Sequence, residues 1–206
     1  SITKFGMAAL LPGKTLSVTE DMHVFVDGMP TRTTADREKI LCASNPNSVA
    51  VQYGDIIGMK RAQRRELIQG KEVVYIYHNT IDAIGDKAPT EQKVFEACTD
   101  ALEELAGLVR VIVTDILITA DHGFLYTYRP LTEGDKVGRE VMTGTIYEIG
   151  RRYALTSPEA QAEHLLPVQR TGVLEGFPLN GYTPRDATRI KVSGGGENYV
   201  HGGVSL

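Results

Sequence analysis

A long amphipathic run set between two β-rich segments constrains this chain more than any other feature. From about Thr90 to Leu108, apolar residues recur at Val94, Phe95, Cys98, Leu102 and Leu105, the spacing of one helical face, and Pro89 stands just ahead. Before it runs Val73-Val74-Tyr75-Ile76-Tyr77, and after it comes Leu117-Ile118-Thr119-Ala120. A strand, a helix and a second strand in that order imply a parallel pairing through a crossover. The same alternation extends toward the start. An apolar helix stops at Pro12-Gly13, and a β-like stretch surrounds His23 to Val26 and reaches a turn at Asp27-Gly28. A helix near Arg37 to Ala43 follows a Thr-Thr-Ala-Asp start. Then come a short strand at Ser48 to Gln52 and a basic helix from Lys60 that ends near Gly70. The order predicts an α/β domain covering residues 1–206. Beyond Pro130 the pattern changes. Thr145 to Leu155 reads as β, and the Pro- and Gly-rich remainder of a stretch at about 132–186 is expected to be a loop-rich excursion. Thr188 to Ser193 is expected as a final strand.

Composition narrows the function classes. A chain of 206 residues is long enough for one continuous core. Its formal net charge of -4 gives no global nucleic-acid signature. The exception is local, Lys60-Arg61-Ala62-Gln63-Arg64-Arg65, and reads first as a solvated helix face. Cys42 and Cys98 have no short spacing between them and read as free, buried thiols of a reducing compartment. No apolar run is long enough to span a bilayer, and the first residues lack signal-peptide character, so a cytoplasmic location with no membrane partner is expected.

The chemistry gathers where apolar runs end. Asp121, His122 and Gly123 close the run at 117–120, placing an acid and an imidazole where ligands collect in parallel sheets. Both can reach a metal, although a His paired with its neighbouring Asp explains the pattern equally well. After Tyr77, Asp82 and Asp86 lie four residues apart with Gly85 between them. Two carboxylates in one small loop repel unless a cation separates them or one stays protonated, and a solvated acidic turn is the plain alternative. His201 stands at another transition into glycine. His23, His78 and His164 are weaker candidates. At the start of the chain, Ser1 or Thr3 falls at a helix N-cap, where a hydroxyl both caps the backbone and sits beside N–H groups suited to phosphate.

In combination, SITKFGMAALLPG, YIYHNTIDAIGD, ITADHGFLY and YVHGGVSL resemble the PglZ family of BREX phage-defence systems, a branch of the alkaline phosphatase superfamily. The likeness spans nearly the whole chain. It implies a three-layer αβα sandwich with a mostly parallel central sheet. It also implies a two-metal site, in which Asp82, Asp86 and His201 hold one ion while Thr3, Asp121 and His122 hold the second. Thr3 is then the nucleophile of a phosphomonoesterase or phosphodiesterase. The ions are expected to be Zn²⁺, with Mn²⁺ or Mg²⁺ as alternatives because Asp86 stands where diesterase relatives have His. The superfamily places a further ligating Asp on a strand upstream of the nucleophile helix. No residue here corresponds to it, so the chain is expected to be a fragment lacking its first strand, nearly inactive alone. The implied partners are a phosphoester substrate, DNA among the options, and other BREX proteins. A scaffold of the defence complex, its metal site structural or degenerate, is the competing reading.

Overall fold

The computed structural model describes residues 2–87, 90–111, 115–129, 131–168, 174–193 and 198–202. In chain order, helix α1 spans Thr3–Ala9 and is followed by strands β1 (Leu16–Val18), β2 (Val24–Val26) and β3 (Met29–Pro30). Helix α2 (Thr34–Ser44), strand β4 (Ser48–Gln52), helices α3 (Tyr53–Gly58) and α4 (Arg61–Ile68), and strand β5 (Val73–Tyr77) come next. Helix α5 (Thr80–Gly85) and the long helix α6 (Glu91–Val111) precede β6 (Phe124–Tyr126). The remainder is β: β7 (Lys136–Val137), β8 (Ile146–Gly150), β9 (Tyr153–Thr156), β10 (Leu165–Val168), β11 (Leu174–Gly176), β12 (Asn180–Pro184), β13 (Arg189–Ile190) and β14 (Tyr199–His201).

The architecture is mixed α/β with several small sheets. Strands pair in the orders β11-β1-β2-β3 and β10-β12-β9-β8, with two-stranded pairs β13-β7, β14-β6 and β4-β5. Only β1-β11, β7-β13 and β4-β5 are parallel among the described residues, which contain no single large sheet. The stretch at about 132–186 supplies all four strands of an antiparallel sheet: β8 and β9 fall where 145–155 reads as β, and β10 and β12 where loop was expected. That sheet closes on its own core of Met142, Ala154, Leu165, Tyr182 and Ile190. β10 and β12 are short and carry Pro or Gly, which hid their alternation.

Three further expectations change. The run ahead of Asp121 forms no strand: residues 115–120 have no regular structure, and Leu117 and Ile118 are 90% and 62% exposed. β5 therefore pairs with β4 alone, in parallel, because the described residues offer this run no hydrogen-bonding neighbour. The buried face of α6 is rotated from the expected one. Val94, Ala97, Ala101 and Leu108 are buried, whereas Phe95 and Leu102 are 42% and 69% exposed. Small alanines allow close approach of neighbouring backbone, and a pattern weighted by large apolar side chains overlooks them. Finally, the N-cap of α1 is Ile2, with no side-chain cap, and Thr3 is the first helical residue. Ser1 lies outside the described residues. The Asp27-Gly28 turn does join β2 to β3 as a hairpin, both residues at positive φ (47° and 80°).

Two cores hold α1 in place. Its Ala8 packs with Leu11, Val24, Val26, Ile40 and Leu41, and Phe5 touches this cluster. Phe5 and Ile2 also pack against a second cluster, Val18, Met22, Leu155 and Leu179, which joins β1 to β9. Lys4, beside Thr3, makes an ion pair with Glu148 on β8. The first helix is thus clamped between the two larger sheets. Ile40, 1% exposed, sits at the centre of the first cluster. Ile40→Ala is expected to destabilise the chain by about 2–5 kcal/mol, read as a fall in the denaturation midpoint at unchanged slope.

Candidate functional site

Four separate segments deliver the six candidate residues. Thr3 opens α1. Asp82 lies in the first turn of α5, and Asp86 is the residue on which that helix ends. Asp121 and His122 immediately precede β6, which pairs antiparallel with β14 so that His201 lies opposite Phe124. That register carries His201 alongside His122. The two imidazoles stack with centroids 4.6 Å apart and planes within 8° of parallel.

The centre of the arrangement is Nε2 of His122, whose side chain is only 4% exposed. Thr3 Oγ1 lies 2.9 Å from it, Asp82 Oδ2 3.4 Å and Asp121 Oδ2 3.5 Å. Asp86 stands further out, 60% exposed, with Oδ1 3.3 Å from His201 Nε2. All six residues therefore fall in one linked constellation. It does not divide neatly into the two ligand triplets that the resemblance implies: Asp82 contacts His122, while Asp86 and His201 pair with each other.

The electrostatics of this centre are unusual. Nδ1 of His122 lies 3.2 Å from the carbonyl oxygen of Gly123. A carbonyl only accepts, so Nδ1 carries the proton, and a neutral ring would present a bare lone pair at Nε2. The Thr3 hydroxyl can donate to that lone pair, but two carboxylate oxygens face the same atom. Oδ2 of Asp121 is buried and has no hydrogen-bond partner. Lone pair and anions repel unless positive charge lies among them, as a proton on Nε2 or a bound cation. A His that donates one ring N–H to a backbone carbonyl and turns the other nitrogen toward acids has the usual setting of a metal ligand. The donor chemistry, carboxylate oxygen and imidazole nitrogen with one hydroxyl, fits Zn²⁺ or Mn²⁺. As they stand, the side chains contact one another instead, with Asp121 Oδ2 left without a hydrogen bond. Among the described residues, no group of three His, Cys, Asp or Glu is already spaced to hold an ion.

The structure adds participants to these six, among them His78, a weaker candidate by sequence, and Gly85, which was read only as the spacer between two acids. Tyr199, 4% exposed, donates its phenol to Asp82 Oδ1 at 2.5 Å and stacks on Phe124 at 5.1 Å. Burial, then the hydrogen bond and charge of Asp82, push this phenol well above its ordinary range, so it stays a donor. Gly85 makes room for the ring, since a Cβ there would lie 2.3 Å from Tyr199 Cζ. His78, at the end of β5, binds Glu104 of α6 at 2.6 Å, and Thr80 donates to the same carboxylate at 2.7 Å. Burial opposes ionisation of Glu104, but the bonds from Thr80 and His78 outweigh it and hold the carboxyl below its usual range. This network fixes the start of α5 and hence Asp82. His78, Thr80 and Gly85 lie within YIYHNTIDAIGD and Tyr199 within YVHGGVSL, but no local spacing gave these residues or Glu104 their contacts. Lys4 is engaged by Glu148, which removes it as a free cation for substrate.

The mixed α/β fold thus gathers a threonine, three aspartates and two histidines into one constellation. Comparison with known proteins supplies the family: residues 1–206 match the BREX system PglZ alkaline phosphatase-like domain, and the chain belongs to that family. It is 39% identical over 212 residues to the alkaline phosphatase-like protein PglZ of Bacillus cereus (strain H3081.97). It is 35% identical over 215 residues to the alkaline phosphatase-like protein BrxZ of Escherichia coli O9:H4 (strain HS). All of the chain is covered in both cases, and it spans about a quarter of each relative's length, 25% and 24%. No solved structure matches it significantly. No helix among the described residues is long and apolar enough to cross a membrane.

The contact between Gly85 and Tyr199 yields a specific expectation. Gly85→Ala forces the ring away from Asp82 and is expected to cost ~1–3 kcal/mol of stability. A midpoint within error of the parent chain would show that the ring has space to move.

Proposed function

We propose that the chain holds most of the active site of a metal-dependent phosphoesterase, acting on a phosphomonoester or a phosphodiester such as DNA, with Thr3 as nucleophile. One observation carries the reading: the Thr3 hydroxyl and two carboxylates converge on one nearly buried imidazole nitrogen, an array that requires positive charge at its centre. The fold is read accordingly as part of a three-layer αβα sandwich of the alkaline phosphatase kind. Asp82, Asp86 and His201 would hold one divalent ion, and Asp121, His122 and Thr3 the other. Asp82 stands close enough to His122 to be shared. Bound Zn²⁺ or Mn²⁺ would supply Lewis-acid polarisation of the phosphoryl oxygens and a lowered pKa for the threonine hydroxyl.

The residues of the chain account for the rest. Thr3 is fixed by α1, which Phe5 anchors in two cores and Lys4 ties to Glu148. Its hydroxyl oxygen attacks phosphorus in line with the leaving oxygen, and its proton departs toward the surrounding acids and imidazole. The phosphorus–oxygen bond to the leaving group breaks, that alcohol taking up a proton, and a phosphothreonine forms. Water then attacks the same phosphorus and restores the hydroxyl, releasing phosphate from a monoester or a monoester from a diester. The relatives' family name points to phage defence, with other BREX proteins as partners of the whole protein.

A second reading rests on the contracted state of the constellation, whose groups contact one another and include no ready-spaced metal triplet among the described residues. In that reading the domain is a scaffold of the defence complex. Thr3→Ala, made in a protein of the relatives' full length, separates the two. Aryl phosphate mono- and diester hydrolysis is expected to fall by at least ~10³-fold while Zn²⁺ affinity changes little, because a nucleophile is lost and five ligands stay. Undiminished hydrolysis, or undiminished defence in cells, would remove the nucleophile role and favour the scaffold.

A further inference from the structure

We propose that Tyr199 is a positioning residue that commits Asp82 to bind a metal through a single oxygen, an inference that rests on the metal-site reading above. The two oxygens of Asp82 have different neighbours. Oδ1 accepts the Tyr199 phenol at 2.5 Å, whereas Oδ2 lies 3.4 Å from Nε2 of His122, at the centre of the constellation. A charge-assisted bond from a phenol draws electron density from the oxygen it touches, leaving the other as the stronger ligand atom. The carboxylate is held in orientation as well as in charge distribution. The ring that carries the phenol is nearly fully buried, stacked on Phe124 on one side and seated over the bare Cα of Gly85.

Three segments distant in sequence cooperate in this one contact. Gly85 lies three residues after Asp82, on the same short helix, so the helix that presents the acid also makes room for its partner. Tyr199 sits two residues before His201 on β14, so the strand that presents the histidine also presents the phenol. Phe124, opposite His201 in the β6–β14 register, closes the stack two residues after His122. A ring placed for packing alone has no need to aim its hydroxyl at a carboxylate of the site. Outer partners of this kind usually change metal affinity by about 10- to 100-fold when removed.

The test uses Tyr199→Phe, which keeps the stack on Phe124 and the fit over Gly85 while deleting only the hydroxyl. Zn²⁺ affinity is measured by calorimetry and the Co²⁺-substituted site by its visible d–d absorption, with thermal melting as the check on folding. Expected for Tyr199→Phe are a melting midpoint close to that of the parent chain, a 10- to 100-fold weaker Zn²⁺ site and a weaker Co²⁺ band. The band falls because a released Asp82 chelates through both oxygens and raises the coordination number. Equal affinity and an identical Co²⁺ spectrum in parent and variant would overturn the positioning role while leaving the metal site standing. Absence of Zn²⁺ and Co²⁺ binding in the parent chain would overturn both, and with them the metal reading itself.

Discussion

The convergence of Thr3 Oγ1, Asp82 Oδ2 and Asp121 Oδ2 on Nε2 of His122 is the constraint on which the rest of this structure depends. Three acceptor-rich groups thus face one nearly buried nitrogen. A buried acceptor without a hydrogen bond costs free energy, and Asp121 Oδ2 has none, its ionisable neighbour being His122 Nε2 at 3.5 Å. The local surroundings are built around keeping them in place: the carbonyl of Gly123 sets the tautomer of His122, the stacked His201 fixes its plane, and Tyr199 fixes Asp82.

Holding four segments at one point is a packing problem, and the fold solves it with short elements pinned at their ends. α1 has only seven residues and no side-chain cap, so it owes its position to Phe5 in two cores and to the Lys4–Glu148 pair. α5 is shorter still and is tied at its start by the Thr80–Glu104–His78 network and near its end by the ring of Tyr199 against Gly85. The antiparallel sheet at 146–184 thereby gains a role beyond its own core, because its Glu148 reaches back to the helix that bears Thr3.

What was legible in the sequence follows from what each signal encodes. Runs of β-rich residues that end near Asp or His marked Asp82, Asp86, Asp121, His122 and His201, a helix start marked Thr3, and the family resemblance grouped the six. The long helix was legible from its period, but its buried face was not. Ala97 and Ala101 make the contact there, while Phe95 and Leu102 stay substantially exposed. The run at 117–120 has the composition of a buried strand, yet a strand exists only when a neighbour pairs with it, and composition cannot supply the neighbour. Tyr199 was illegible for a related reason. Its importance lies in a hydrogen bond across 117 positions of sequence, which no local pattern records. The N-cap role read for Thr3 is not what the structure shows, since its hydroxyl turns to His122 instead of capping its own helix.

The most direct measurement is anomalous diffraction from crystals of the chain grown with Zn²⁺, with data collected on both sides of the zinc absorption edge. If the constellation is the proposed metal site, one peak will stand within about 2.0–2.2 Å of donor atoms of Asp121 and His122 beside Thr3, with a second at Asp82, Asp86 and His201. Crystals that diffract well but show no peak there, with His122 Nε2 still filling the space between the two carboxylates, would contradict the metal-dependent reading at its root.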